Sequence, residues 1–177
     1  DIAYSQYVKV DFDLTKSFLI DEQNSLVFHC GFGIGIPYGN SNILPYEKRY
    51  FSGGANSVRG WSVRSLGPGS FVGKDGKVDF INQTGNVKID LNLEYRTHLF
   101  WKLDAAAYID AGNIWNTRNY EGIDGGQFKF KTFYKQIAVS YGVGLRLNFD
   151  YFILRFDTGM KAINPAYEKK KDRYPII

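Results

Sequence analysis

Val87-Lys88-Ile89-Asp90-Leu91-Asn92-Leu93-Glu94-Tyr95-Arg96 alternates without a fault, apolar at every odd position and polar or charged at every even one. Period two is the spacing of a β-strand with one apolar face. Working outward, residues 102–115 set Leu103, Ala105, Ala107, Ile109 and Ala111 against Asp104, Ala106, Tyr108, Asp110 and Gly112. Residues 137–149 set Val139, Tyr141, Val143, Leu145 and Leu147 against Ser140, Gly142, Gly144, Arg146 and Asn148. Phe152, Leu154, Phe156 and Met160 then oppose Arg155, Asp157, Gly159 and Lys161. Upstream, Val8, Val10, Phe12 and Leu14 oppose Lys9, Asp11, Asp13 and Thr15. Leu26, Phe28, Cys30, Phe32 and Ile34 oppose Val27, His29, Gly31, Gly33 and Gly35. The pattern predicts an all-β, antiparallel chain with strands over about 4–18, 25–36, 87–98, 101–115, 136–149 and 151–162. Turns are expected at Asp21-Glu22-Gln23-Asn24, near His98-Leu99-Phe100 and near Asn148-Phe149-Asp150. Several of these strands reach the roughly 9–11 residues that a bilayer crossing requires.

The composition agrees. Of 177 residues, 17% are aromatic and 19 are glycine, which suits a β protein better than a helical one. No run approaches the roughly 18 apolar residues of a membrane-spanning helix, but strands that cross with one apolar face give a far weaker signal. The start, Asp1-Ile2-Ala3-Tyr4, reads as strand and not as a secretory signal. Cys30 is the single cysteine, so an intrachain disulfide is excluded. The net charge of +4 owes much to Lys161 and to Glu168-Lys169-Lys170-Lys171-Asp172-Arg173. That run reads as a solvated end, and no nucleic-acid partner is implied.

Alternation is common to a soluble sandwich, whose apolar face is the core, and to a barrel in lipid, whose apolar face is the outside. Three observations favour the second. Glycines gather on the polar face, at Gly31, Gly33, Gly35, Gly142 and Gly144, where another segment can approach closely. Aromatic residues gather near strand ends (Tyr7, Phe18, Phe100, Trp101, Trp115, Phe149, Tyr151, Phe152), as interface girdles do. Short turns alternate with long loops, the two-sided asymmetry of outer-membrane barrels. The longest loop, about 37–84, carries Tyr46, Tyr50, Phe51, Trp61, Leu66 and Phe71. It is too apolar to be disordered and is expected to fold against the wall.

Catalytic and metal chemistry find little support. His29 and His98 lack spaced cysteine or carboxylate partners, and no Gly-x-Ser-x-Gly elbow is present. Lys74-Asp75-Gly76-Lys77-Val78-Asp79 lacks the ligand spacing of a calcium loop. Asp90 and Glu94 share a face but stand four residues apart, roughly 13 Å along a strand, wide for paired carboxylate catalysis. The expectation is no enzyme, no cofactor and no metal.

The segment Phe51-Ser52-Gly53-Gly54 through Val58-Arg59-Gly60-Trp61 resembles the Val-Arg-Gly-aromatic loop of the BamA/TamA/FhaC superfamily of outer-membrane assembly and transport proteins. Tyr108-Ile109-Asp110-Ala111-Gly112 is similar to its aromatic-x-Asp-x-Gly strand, and Gly142-Val143-Gly144-Leu145-Arg146 to its Gly-x-Gly-Leu-Arg strand. The three occur in the family's order and the resemblance covers nearly the whole chain. It implies about six strands, the tenth to fifteenth, of a sixteen-stranded transmembrane barrel in the bacterial outer membrane. It also implies that residues 1–177 are the C-terminal part of a longer protein. The chain departs from the family in lacking POTRA repeats, earlier strands and a last strand ending in an aromatic residue. The resemblance further implies that the loop folds inward and Arg59 pairs with Asp110. Gly60 would permit the turn at the tip. Trp61 would pack on a wall formed by Gly112, Gly142 and Gly144 beside Arg146. The function it implies is insertion and folding of β-barrel proteins, with outer-membrane lipid, unfolded barrel clients and periplasmic or lipoprotein accessory subunits as partners. Alternatives are a two-partner secretion pore, the barrel carried by a patatin-like lipase, and a plain diffusion porin, which the motifs disfavour.

Overall fold

The computed structural model describes residues 4–73 and 77–167. The features expected at 1–3, 74–76 and 168–177 lie outside the described residues. Six strands form one antiparallel sheet in sequence order: β1 (Gln6–Leu19), β2 (Asn24–Tyr38), β3 (Val87–Phe100), β4 (Leu103–Trp115), β5 (Ala138–Asn148) and β6 (Ile153–Ile163). Each strand pairs with its neighbour in sequence, and no pairing joins β1 to β6 among the described residues, so the sheet is open. Strands of 11 to 15 residues are long enough to cross a bilayer.

Three short turns close one end of the sheet and two long loops, 39–86 and 116–137, leave from the other. In the first turn Asp21 accepts the backbone N–H groups of Gln23 and Asn24, both at 2.8 Å, and its carboxyl is held below the usual range by the Asn24 amide and that Gln23 bond. The turn expected near His98-Leu99-Phe100 is displaced. β3 continues to Phe100 through an irregularity after His98, and the chain reverses at Trp101-Lys102, with Trp101 in the left-handed region at φ 55°.

The faces are inverted relative to a soluble core. Leu93, Ile109, Val143 and Leu145 are 42%, 54%, 61% and 44% exposed, while Asp90, Glu94, Asp110, Ser140 and Arg146 are buried. Register explains how polar residues from distant strands meet. Thr15, His29, Asn92, Asp110, Ser140 and Lys161 lie on one row running across all six strands. Alternation puts that whole row on the inner face. Val87 departs from the pattern: the alternation turns it outward, yet it is buried. Its register partner is Trp115, which is packed edge-on by Phe128 and Phe133 of the second loop.

Candidate functional site

The first loop lies along the inner face and touches every strand. Tyr50 donates to Asp11 of β1 at 2.6 Å, and its ring occupies the space a side chain at Gly33 of β2 would need. Ser57 donates to Asp90 of β3 at 2.8 Å, and its carbonyl accepts from Asn92 at 2.7 Å. Asp90 is also held by Lys88 at 2.7 Å. These bonds deliver Arg59 to β4.

Asp110 accepts four N–H groups. The backbone N–H and Nε of Arg59 bond Oδ2 at 3.0 and 2.8 Å. Nη2 of Arg59 and Nδ2 of Asn92 bond Oδ1, each at 2.8 Å. Four donors fill the lone-pair sites of a carboxylate, so Asp110 is fully exposed to partners and not at all to solvent. The remaining guanidinium nitrogen, Nη1, donates to Glu94. The guanidinium carbon stands 3.3 Å from the centre of the Tyr108 ring, a stacked cation–π arrangement. Tyr108 is itself fixed by donation to the Thr158 carbonyl at 2.9 Å. The Arg59 side chain is only 5% exposed. Burial alone would disfavour its charge; the hydrogen bonds to Asp110 and Glu94 outweigh that and raise its affinity for the proton.

The sequence places Glu94 on the inner face, too far from Asp90 for paired carboxylate catalysis, and gives it no part in the site; it is the residue that sequence reasoning misses. One oxygen accepts from Arg59 and Arg146, the other from Arg96 at 2.7 Å. Arg146 also donates to Asp157, which Arg155 bonds at 3.1 Å. Charges therefore alternate from Asp110 through Arg59, Glu94, Arg146 and Asp157 to Arg155, crossing from β4 to the loop and on to β3, β5 and β6. The only signal in the sequence was that all of these residues except Arg59 sit on the inner side of their strands. Their proximity depends on register, which alternation leaves open.

Arg146 lies over Gly144 in the wall, as expected, and is also an ion-pair partner of Glu94 and Asp157. Two other expectations are revised. Gly60 does not adopt a positive φ to make the turn. It is needed because a Cβ there would lie 2.6 Å from that of Ser140, whose hydroxyl accepts the Gly60 N–H at 3.1 Å. Trp61 does not lean on the predicted glycines: it packs with Val58, Leu66 and Ala138, under the Lys161 ammonium. The space at Gly112, Gly142 and Gly144 is taken by wall groups instead, Asp90, Tyr108 and Arg146 respectively. The glycine the loop tip presses on is Gly159 of β6, against the Arg59 carbonyl.

His29 bonds Asn92 and Asp13, and His98 bonds Asp104, so both histidines belong to hydrogen-bonded pairs of the wall. No group of three or more His, Cys, Asp or Glu suited to a metal occurs among the described residues.

An antiparallel wall, apolar outside and charged inside, with a long loop fastened to its inner face by a buried arginine, defines a segment of an outer-membrane-type β-barrel. The chain belongs to the Omp85 superfamily: the family model described as "Omp85 superfamily domain" matches residues 3–174. It is 26% identical over 121 residues to the outer membrane protein assembly factor BamA of Neisseria meningitidis serogroup B (strain ATCC BAA-335 / MC58). That alignment covers 66% of this chain and 15% of the relative. The crystal structure of BamA from Haemophilus ducreyi lacking POTRA domains 1–3 has a similar fold, with a TM-score of 0.69 at 18% identity. The match covers 88% of this chain and 32% of that one. CdiB from Acinetobacter baumannii gives a TM-score of 0.53 at 18% identity, covering 92% and 25%. The chain thus matches only 15% of the curated relative's length, and its place is the bacterial outer membrane.

Proposed function

We propose that this chain is part of the barrel of an outer-membrane assembly factor, which inserts and folds other β-barrel proteins and carries out no enzymatic reaction. The observation that carries the reading is the latch: Arg59, buried between Asp110 and Glu94, holds the loop against the inside of the wall. Support comes from the N. meningitidis relative, itself described as an assembly factor. On this reading the latch keeps the wall in a fixed curvature while client strands pair at an edge of the barrel, a templating use of unpaired backbone groups. The partners are outer-membrane lipid, unfolded barrel clients and periplasmic or lipoprotein accessory subunits.

The test is reconstitution of the full-length protein in vesicles, with a urea-denatured small β-barrel as client. Faster appearance of the heat-modifiable folded client than in empty vesicles is expected. A second reading, a pore of the two-partner secretion kind, draws on the likeness to CdiB. It predicts instead that an extended polypeptide crosses the vesicle wall while client folding stays at the empty-vesicle rate, a result that would overturn the assembly reading.

A further inference from the structure

The second loop takes no part in the latch, yet it has a built conformation. Asn116 donates its backbone N–H to the Gly126 carbonyl and accepts that of Phe128 around its neck, and Gln136 accepts the Trp115 indole N–H at 2.9 Å. Phe128 and Phe133 pack edge-on against Trp115, at 5.5 and 6.2 Å between ring centres. This staple leaves a short turn, closed by donation from Thr132 and Phe133 to the Lys129 carbonyl, with Lys129, Phe130 and Lys131 on its outside. Phe130 is 84% exposed, although its ring touches that of Phe128. No ion pair to Lys129 or Lys131 occurs among the described residues, and no Asp or Glu lies between Asp124 and Asp150.

Position decides what such a turn meets. By the alternation of β4, Trp115 falls on the same side as Ile109, where the second loop covers it completely; the loop leaves from the end carrying the long loops, which in outer-membrane barrels is extracellular. From Leu103 to Asn113, ten residues rise about 33 Å along the strand, or about 23 Å of height at a tilt of about 45°. That nearly uses up an apolar band of about 25 Å. Trp115 and its staple therefore stand at the outer rim of the hydrocarbon, with lysines just above it and Phe130 able to dip into it.

We propose that the Lys129-Phe130-Lys131 turn is a docking site for an outer-leaflet glycolipid that carries phosphate on its sugar headgroup. The two ammonium groups bind phosphate, and Phe130 lies among the upper acyl carbons. The site needs only the outer-membrane location and is independent of whether the whole protein assembles or secretes.

Two measurements on the full-length protein test it. In detergent, diphosphorylated lipid A is titrated against the parent protein and the Lys129→Gln/Lys131→Gln variant, with dephosphorylated lipid A and phosphatidylglycerol as the other arms. Removing two surface cations should weaken diphosphorylated lipid A by about ten- to thirtyfold, with the dephosphorylated form and phosphatidylglycerol weaker for the parent to begin with. In cells, a photoreactive benzoylphenylalanine replacing Phe130 should form an adduct with glycolipid. Variant affinity within about twofold of the parent, equal binding of either control lipid, or an adduct with protein alone would each overturn the proposal. Should the double variant fail to fold, the adduct decides by itself.

Discussion

Asp110→Asn is the sharpest perturbation of the latch, because it preserves shape and changes only charge and donor pattern. Each oxygen of Asp110 accepts two N–H groups, Oδ2 from the Arg59 backbone and Nε, Oδ1 from Arg59 Nη2 and Asn92. Whichever way the new amide turns, its NH2 faces two donors, so at least half of the bonds are lost along with the charge. Breaking a buried ion pair costs about 3–5 kcal/mol when one partner is stranded. Arg59 retains Glu94, so the loss should be less, about 2–4 kcal/mol, made of two charge-assisted bonds at about 1.5–3 kcal/mol less some relaxation. A lumen full of water would have screened the pair further, but the Asp110 side chain is 0% exposed and Arg59 5%. The assay is amide hydrogen exchange of residues 55–63 in the full-length protein, which reads the opening of the loop directly. Protection should fall by about 30- to 1,000-fold, while β3 and β4 exchange as before. A change below about threefold with the wall intact would refute the claim that this carboxylate holds the loop.

Further outcomes follow from the same geometry. Arg59→Lys should give exchange between the parent and Asp110→Asn, because an ammonium cannot bridge both carboxylates in one plane while stacking on Tyr108. Gly60→Ala should cost about 1–3 kcal/mol by overpacking against Ser140, and Ser140→Gly should restore part of the lost protection; no restoration would mean the contact does not limit the tip. Spin labels at Ile109 and Thr15 in the full-length protein should be relaxed by oxygen and by a water-soluble reagent respectively. The opposite pattern would place the apolar face in a soluble core.

Much of the wall was legible because a single physical fact, the two-residue repeat of a strand, writes both element and face into the chain. β3 and β5 follow their alternation closely, and Asp110 was placed on the inner face by it. Glu94 shows where legibility stops. Its neighbours Arg59 and Arg146 are 35 and 52 residues away, and nothing short of the strand register and the path of the loop brings them to one carboxylate. Gly60 lies in the expected turn, but the reason for a glycine there was not legible. A glycine in a sequence signals either an unusual backbone angle or a crowded approach, and the two are indistinguishable until the neighbour is seen. The turn at Trp101 was misplaced because the irregularity after His98 absorbs a residue that the count of alternation cannot register.

The path of the loop has a mechanical meaning. An arc of sheet bends easily about axes parallel to its strands, since only the angles between neighbours change. Here the loop is tied by Tyr50 to β1, by Ser57 to β3, by Arg59 to β4 and by the Arg155 contact with the Ala55 carbonyl to β6. It is a chord drawn under that arc. A chord of fixed length sets the radius, so the wall cannot flatten or tighten without one of those ties parting. Arg59, midway along, bonds carboxylates of two strands at once, Asp110 of β4 and Glu94 of β3.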